Sequence, residues 1–578
     1  MKRVTLIING KEIKTEDNIS LLEVARNNNI FIPTLCYLKD SLNCGKCGLC
    51  FAEVIDNGSK EILRSCFTMP KDGMVVNTNT DLVRNLVKSR LVEILNEHDF
   101  ICPQCERRFN CELIKLAFKY SVMPEKVYDL QYKGSLDYYD DRSKSIVINR
   151  NKCIKCGRCE AACATKTTTN SINLEPLGNE LRVQANNNKC LDETNCLLCG
   201  QCVIACPVNA LSEKSHIDRV KEALKNPKKH VIAAIAPSVR ASIGELFGMG
   251  YGVDVTGKLY RALRELGFDK VFDLNFGADL TIVEEASELV KKIKNNGPFP
   301  MFTSCCPAWI REAENYFQEL LPNISTTKSP QQIFGAASKT YYPKAMNIDA
   351  KDVYTVTIMP CVAKKFECDR EGMDVNGIKT IDAVLTAREF FQMVIDSQIE
   401  FEKLEDDVAD PIMGEYSGAG AIFGVTGGVM EAAIRTAKDW LENADLKNID
   451  YKAVRGFENI KEATVNIDNK EYNVAVINGS KNVFDFINSG MLNKKQYHFI
   501  EVMACPGGCI NGGGHPHVNS LDREKVDYRG LRGSVLYAQD HRLPNRKSHE
   551  NSAIIKMYDN YIGTPGNEFA HEIFHVKY

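Results

Sequence analysis

An excess of charge of either sign is missing from this chain: 72 lysines and arginines stand against 75 aspartates and glutamates, a formal net charge of −3 over 578 residues. A protein that holds nucleic acid by neutralising phosphates carries a basic surplus, and the near-balance argues against that class. Also missing is any run approaching the ~18 apolar residues of a membrane-spanning helix. The longest, VIAAIAPSV at 231–239, has the length of a buried strand. The opening MKRVTLIING carries two basic residues, but its apolar stretch stops at Asn9-Gly10, too short for a signal-peptide core. A soluble, cytoplasmic protein with no membrane and no nucleic-acid partner is expected. No low-complexity linker divides the chain, so its modules are expected to pack closely, and the length suggests roughly four of them at ~150 residues each. Apolar residues at 44% and charged residues at 25% leave ample material for a core.

What is present in quantity is cysteine. There are 23, seventeen of them before residue 210 and six after. An odd total rich in C-x-x-C steps does not suit a disulfide framework; in a cytosolic chain it reads as metal or cluster ligation. Cys153, Cys156, Cys159 and Cys163 follow C-x2-C-x2-C-x3-C, and Cys196, Cys199, Cys202 and Cys206 repeat it before Pro207. This is the bacterial two-cluster ferredoxin run, in which the fourth cysteine of each run ligates the other cluster. Two 4Fe–4S clusters are expected, one on Cys153, Cys156, Cys159 and Cys206, the other on Cys196, Cys199, Cys202 and Cys163. Zinc is the competing occupant, disfavoured by the interleaved repeat. Cys190 falls outside the pattern as a spare thiol.

Near the start, Cys36, Cys47, Cys50 and Cys66 form C-x10-C-x2-C-x15-C amid hairpin and helix patterns. This resembles a 2Fe–2S ferredoxin domain of β-grasp fold, with Cys44 as a non-ligand. Between the two modules, His98, Cys102, Cys105 and Cys111 form H-x3-C-x2-C-x5-C. One histidine and three cysteines could hold zinc; flanked by iron–sulfur modules, a His-ligated 4Fe–4S cluster is preferred. Such clusters in series would make a conducting path.

The chain beyond residue 215 alternates strand-like runs (VIAAIAPS, VYTVTIMP, YNVAVING, FIEVMAC) with amphipathic helical patterns, which reads as α/β with largely parallel sheet. The tail from about Arg529 is polar and helix-like. SGAGAIFGVTGG could suggest a dinucleotide loop, but no strand precedes it and no suitably spaced acid follows. Close packing through Gly418, Gly420 and Gly424 is the preferred reading, so nicotinamide is not expected on this chain.

The six late cysteines lie in TSCCPAW (303–309), MPCVAKKFE (359–367) and EVMACPGGCINGGG (501–514). These segments resemble the three H-cluster motifs of the FeFe-hydrogenases, and the preceding modules match the order found in the multi-cluster, monomeric clostridial type. The resemblance covers essentially the whole chain. It implies a multidomain α+β and α/β protein: an N-terminal β-grasp 2Fe–2S ferredoxin domain (1–80), a small helical His/Cys cluster domain (81–137), a bacterial two-cluster ferredoxin domain (138–215), and a large two-lobed α/β H-cluster domain with parallel sheets (216–578) ending in a small-subunit-like tail.

The resemblance also implies roles. Cys306, Cys361, Cys505 and Cys509 would hold a 4Fe–4S cube, with Cys509 bridging to a two-iron subsite that carries CO, cyanide and azadithiolate. Lys364 would pair with one cyanide, and Ser238, after Pro237, would donate to the other. Met359, Met503 and Gln331 would line the pocket; as bare residues the methionines read as core. Cys305 would begin a proton path continued by Glu285, Ser325 and Glu288. Without the motif, Glu285 and Glu288, at i and i+3 of a helical pattern, read as a solvated face. Cys368 has no implied role. Ala308 and His515 depart from the residues common in the family, glutamine being usual at the latter.

The implied activity is reversible interconversion of protons, electrons and dihydrogen, with electrons from a ferredoxin or flavodoxin-like carrier and the two-iron subsite supplied by hydrogenase maturation proteins. Two other readings compete: a non-catalytic electron-transfer subunit like that of respiratory NADH dehydrogenases, and a hydrogen sensor or iron–sulfur assembly relative. The first would lack TSCC, MPC-x2-K and ACPGGC together. Against the second stand Cys305, Lys364 and both methionines.

Overall fold

The computed structural model describes residues 2–39, 41, 45–123, 138–177 and 180–578. Cys44 lies outside them. The chain begins with the hairpin that Asn9-Gly10 predicts: strands Arg3–Ile8 and Lys11–Glu16 pair antiparallel, with φ of 51° and 81° at the two turn residues. A two-residue type I′ turn needs positive φ at both positions, which asparagine and glycine tolerate. These strands join Val75–Asn77, Phe51–Asp56 and Ser59–Arg64 in a five-stranded sheet in which Arg3–Ile8 and Val75–Asn77 run parallel. Helix Leu21–Asn27 lies against it. Its start is fixed by a capping box, in which Ser20 accepts from the Glu23 N–H and Glu23 accepts from the Ser20 N–H.

Helix Asp81–Glu97 buries Val83, Val87, Leu91, Ile94 and Leu95, a stripe at three- and four-residue spacing. That stripe shares one core with Cys36, Cys47, Cys111, Cys153, Cys196 and Cys206. The cysteine-bearing loops of the first 210 residues therefore pack on one another, as the lack of linkers suggests.

Two four-stranded sheets organise the rest. One runs Lys270–Asp273, His230–Ile235, Val353–Met359, Ala383–Thr386, all parallel. The other runs Met301–Phe302, Phe499–Met503, Lys470–Asn478, Ile460–Ile467, parallel except for the last strand. Central strands buried on both faces explain the near-continuous apolar runs of the sequence. Helix Leu274–Lys294 is buried along most of its length, packed against helices Pro330–Lys339 and Gly428–Glu442. Its N-cap, Asp273, accepts two hydrogen bonds of 2.8 Å from the buried Arg240 guanidinium. Breaking such a buried pair costs ~3–5 kcal/mol, because the remaining charge is left without a partner.

The glycine run packs as expected. A Cβ at Gly418 would meet Asp540, one at Gly420 would meet Asn275, and one at Gly424 would meet Leu536 and Ser238. The tail, with helices Tyr528–Arg542, Ser552–Met557 and Glu568–Phe574, is more deeply integrated than its polarity suggests: Leu536, Met557 and Phe574 are fully buried. Among the described residues, no helix is long and apolar enough to cross a membrane.

Candidate functional site

Four chain segments leave the C-terminal ends of parallel strands and meet. His230–Ile235 leads into Pro237 and Ser238, Met301–Phe302 into Cys305 and Cys306, Val353–Met359 into Cys361, and Phe499–Met503 into Cys505. The carboxyl ends of strands in open α/β sheets are where crevices form, since the connections diverge there toward helices on opposite faces. Here the two sheets aim their ends at one cavity. It is lined by Pro237, Ser238, Gln331, Met359, Met503, Ala308 and Phe423, by the thiols of Cys305, Cys306, Cys361, Cys505 and Cys509, and by Lys364. Cys199 of the two-cluster segment reaches the same wall.

Burial pushes these thiols up, Cys361 to about 12 with help from neighbouring Cys306. Thiols so poorly disposed to ionise become ligands only when a metal displaces their protons. The Lys364 ammonium is buried, yet the Glu367 carboxylate outweighs desolvation and holds it above its ordinary range. Lys364 Nζ donates to Glu367 Oε1 at 2.8 Å, Ser329 Oγ at 2.8 Å and the Cys305 carbonyl at 3.2 Å. Gln331 locks this cluster, donating to Glu367 at 3.0 Å and accepting from Thr357 at 2.9 Å. Glu367 and Ser329 were not singled out from the sequence, although Lys364 and Glu367 form an i,i+3 pair of opposite charge.

His515 is buried beside the site. Its Nε2 lies 2.7 Å from the Cys509 carbonyl and its Nδ1 2.7 Å from Ser242 Oγ. Burial, with Arg532 and Arg388 nearby, holds it far below its ordinary pKa and so neutral. A carbonyl can only accept, so Nε2 carries the proton and Nδ1 accepts from Ser242. The imidazole thus holds the Cys509 backbone to the loop after strand His230–Ile235.

Glu285, Ser325 and Glu288 stand behind Cys305 and not on the cavity wall. Glu285 is fully buried, and burial followed by the charge of Glu288 pushes it up to about 8, against the pull of the Ser304 backbone and the Ser325 hydroxyl. Neither of its oxygens has a well-formed hydrogen bond. Ser325 Oγ donates to Glu288 Oε2 at 3.0 Å. Helix Leu274–Lys294 presents both glutamates inward, contrary to what their spacing alone suggests, because Ser304 and the Ser325–Thr326 segment cover that face of the helix.

The other candidate ligands fall into four groups, buried but for Cys102. Cys36, Cys47, Cys50 and Cys66 sit together in the N-terminal module, the Cys50 and Cys66 sulfurs 3.3 Å apart. His98 is held neutral by burial, at about 4, and its Nδ1 donates to the Lys152 carbonyl at 2.9 Å, which leaves Nε2 free for a ligand. Lys152 Nζ in turn reaches Cys105 Sγ at 3.8 Å, and Cys102 has Cys111 and Cys105 as electrostatic neighbours. Cys206 lies among Cys153, Cys156 and Cys159, and Cys163 among Cys196, Cys199 and Cys202. Cys190 sits apart beside Asp192 and Glu193. Cys368 donates to the Lys365 carbonyl at 3.0 Å, a helix-end contact.

The two-cluster segment touches the cavity loop along a narrow seam. A Cβ on Gly513 would stand 2.4 Å from the Cys199 carbonyl oxygen, and one on Gly200 would stand 3.0 Å from the Gly513 Cα. Only two glycines permit this approach. Gln201 crosses the seam, donating to Cys505 Sγ at 3.5 Å and the Asn511 carbonyl at 3.0 Å.

An iron–sulfur cube with an attached two-iron unit fits these residues. The cavity offers soft thiol donors from three strand ends, the ligand type iron–sulfur clusters select. The Ser238 hydroxyl, fully buried on the cavity wall, has no protein partner. Such a group is retained where something else satisfies it.

Comparison with known proteins agrees. Residues 229–513 match the family model for the C-terminal domain of the iron-only hydrogenase large subunit, and 526–578 that of the iron hydrogenase small subunit. Residues 1–81 match a 2Fe-2S iron-sulfur cluster binding domain, 82–122 an iron hydrogenase 1-like iron-sulfur centre-binding domain, and 152–210 a 4Fe-4S dicluster domain. Iron hydrogenase 1 of Clostridium pasteurianum is 59% identical over 575 residues, 99% of either chain. The NADP-reducing hydrogenase subunit HndD of Solidesulfovibrio fructosivorans is 40% identical, covering 100% of this chain and 99% of its own. Among solved structures, a variant of the [FeFe]-hydrogenase HydA1 from Chlamydomonas reinhardtii superposes with a TM-score of 0.56 at 35% identity, covering 63% of this chain and 99% of that one. Ferredoxin-like 2Fe-2S and 4Fe-4S domains joined to a cavity of this make-up, in a chain this close to a hydrogenase over its full length, mean that the protein belongs to the FeFe-hydrogenases, oxidoreductases acting on dihydrogen.

Proposed function

We propose that this chain reversibly combines protons and electrons into dihydrogen in the cavity between the two sheets, as a cytoplasmic monomer of four modules (1–80, 81–137, 138–215 and 216–578), the first of β-grasp type and the last two-lobed. The observation that carries this reading is the meeting of five thiols, a paired lysine and an unpartnered serine hydroxyl on the wall of one cavity at the strand ends. Cys306, Cys361, Cys505 and Cys509 would hold the H-cluster, and Ser238 and Lys364 would face its anionic ligands, within walls supplied by Pro237, Gln331, Met359 and Met503. When bound, that group supplies the metal at which protons and electrons are joined, the chemistry being the cofactor's.

The remaining work falls to the protein. Cys305 is surplus to a four-thiol ligand set and passes a proton between the cavity and Glu285. With a pKa near neutrality, at about 8, Glu285 can both give and take that proton. Ser325, donating to Glu288 and facing Glu285, links the two carboxyls. Lys364, fixed by Glu367, contributes a cation where anionic ligands would otherwise lie uncompensated.

Electrons would come from a ferredoxin or flavodoxin-like carrier. They would pass through a 2Fe–2S cluster on Cys36, Cys47, Cys50 and Cys66, a 4Fe–4S cluster on His98, Cys102, Cys105 and Cys111, and the two 4Fe–4S clusters of the crossed cysteine runs. The seam at Cys199, Gly200 and Gly513 supports that route, since it brings the last cluster segment onto the cavity wall. Maturation proteins would supply the two-iron unit. The test is hydrogen evolution from reduced methyl viologen by the fully matured chain, with CO and cyanide stretches in the infrared confirming that the two-iron unit is in place. Fully metallated protein without activity above background would end the enzyme reading.

A further inference from the structure

The proton relay of the previous section ends, on its solvent side, at Glu288. There the protein builds a hydrogen-bonded branch that the sequence did not suggest. Glu288 Oε2 accepts from the Thr326 N–H at 3.0 Å and from Thr326 Oγ1 at 3.4 Å. The same hydroxyl lies 2.8 Å from Nδ1 of His575, in the C-terminal tail. Nε2 of His575 lies 3.0 Å from Glu284 Oε2, and Glu284 is fully buried, its other oxygen taken by the Tyr558 hydroxyl. The tail is pinned here by backbone: Val576 N donates to the Thr326 carbonyl at 2.7 Å and Lys328 N to that of Phe574 at 2.8 Å. On the outer side, the exposed His571 ring lies against His575, tilted by 36° with centroids 4.0 Å apart.

We propose that His575 is a second inlet for protons, feeding Glu288 through the Thr326 hydroxyl; this rests on the relay reading of Glu288, Ser325, Glu285 and Cys305. Thr326 has one hydroxyl proton to place. When His575 is neutral with its proton on Nε2 toward Glu284, Nδ1 accepts from Thr326 and the hydroxyl is turned away from Glu288. When His575 is an imidazolium, Nδ1 donates and the hydroxyl is turned to Glu288. In the transfer, the Nδ1 proton moves to Thr326 Oγ1 as the Thr326 proton moves to Glu288 Oε2. This leaves a neutral imidazole, a restored hydroxyl and a protonated carboxyl. Glu284 of helix Leu274–Lys294 contacts the ring directly, Glu288 of that helix lies beyond the Thr326 hydroxyl, and His571 of the tail sits against its outer face, with Lys291 near His571 and Lys292 beside Glu288. Lys292 Nζ, 3.7 Å from Glu288 Oε1, marks the alternative inlet.

His575→Gln keeps a polar side chain without a titrating ring, and Thr326→Val removes the hydroxyl while leaving the ring and the backbone contacts. Each holoenzyme is assayed for hydrogen evolution from reduced methyl viologen across pH 6 to 9, alongside Glu288→Gln. The carboxyl C=O stretch of Glu288 is followed by infrared difference spectroscopy in the same samples. Both branch variants should lose roughly fivefold in rate at pH 6 and converge on the parent by about pH 9, because an imidazole supplies protons only on the acid side of its range. Their Glu288 band should shift. Parent-like pH profiles in both variants, with Glu288→Gln slow, would overturn the branch and leave the relay standing, with Lys292 as its inlet. A fully active Glu288→Gln would instead bring down the relay itself, and the branch with it. Should the histidine variant fail to fold, the threonine variant decides alone.

Discussion

The first 210 residues and the remainder of the chain are stabilised in different ways. In the first region the candidate cluster cysteines belong to the core: Cys36, Cys47, Cys111, Cys153, Cys196 and Cys206 pack with the apolar stripe of helix Asp81–Glu97. Short strands and loops surround them, and the five-stranded N-terminal sheet has a core of its own. In the second region the sheet of strands Lys270–Asp273, His230–Ile235, Val353–Met359 and Ala383–Thr386 buries aliphatic and aromatic side chains, with Cys368 its one cysteine. The candidate ligands there stand at strand ends, outside that core. A region whose metal ligands are its core folds with its metal, whereas one whose ligands rim a finished core holds a site open for it.

The sharpest way to break this contrast is to withhold iron. In iron-free protein, amide exchange protection should be lost across 82–210 and retained in the two four-stranded sheets; uniform loss, or uniform retention, would erase the distinction. Next in size is Cys305→Ala, which should cut hydrogen turnover by ~10²–10⁴-fold, the usual worth of a positioned proton-transfer group, with iron content unchanged. A fall in iron would mean that Cys305 is a ligand. Gly513→Val tests the seam between the regions. The side chain would be forced against the Cys199 carbonyl, costing ~1–3 kcal/mol of stability from overpacking, and electron delivery from reduced ferredoxin should slow.

Glu285 gives a pH signature confined to the second region. Its folded pKa, about 8, lies above the unfolded value, so between about pH 4.5 and 8 the folded state binds the extra proton. Stability should therefore fall as pH rises through that window, and Glu285→Gln should flatten the fall in denaturant titrations. Smallest is Lys46→Ala, which breaks the partly exposed Lys46–Glu160 pair between the N-terminal and two-cluster segments. Exposed pairs contribute ~1 kcal/mol at most, so a larger loss would show that this contact is a hinge of the first region.

Much of the cavity was legible because its residues sit in short motifs that strand ends bring together: Cys305 with Cys306, Cys361 with Lys364, Cys505 with Cys509. The alternation of apolar runs and helical patterns likewise announced α/β sheet, and Asn9-Gly10 its hairpin. Less legible was anything set by contacts between distant segments. Glu285 and Glu288 read as solvent-facing until Ser304 and the Ser325–Thr326 segment fold over their helix. Glu367 and Ser329, which fix Lys364, gain their meaning only from the loop of Cys305. Glu501, a charge inside the strand Phe499–Met503, is satisfied by the N–H groups of Gly427 and Met430 at a helix start more than 70 positions away. His515 has both nitrogens engaged, a link between the Cys509 backbone and Ser242 that sequence alone could not reveal.

The glycine seam has a further consequence for how such proteins can be built. Electrons cross a gap with a probability that falls steeply with its width, and on the proposed route that width would be set by the absence of two methyl groups. Gly200 and Gly513 would then be a thin dielectric between a conductor and its load. Any front end that presents a bare backbone at that point could, in principle, be plugged into the same catalyst, and one that presents a side chain would be insulated from it.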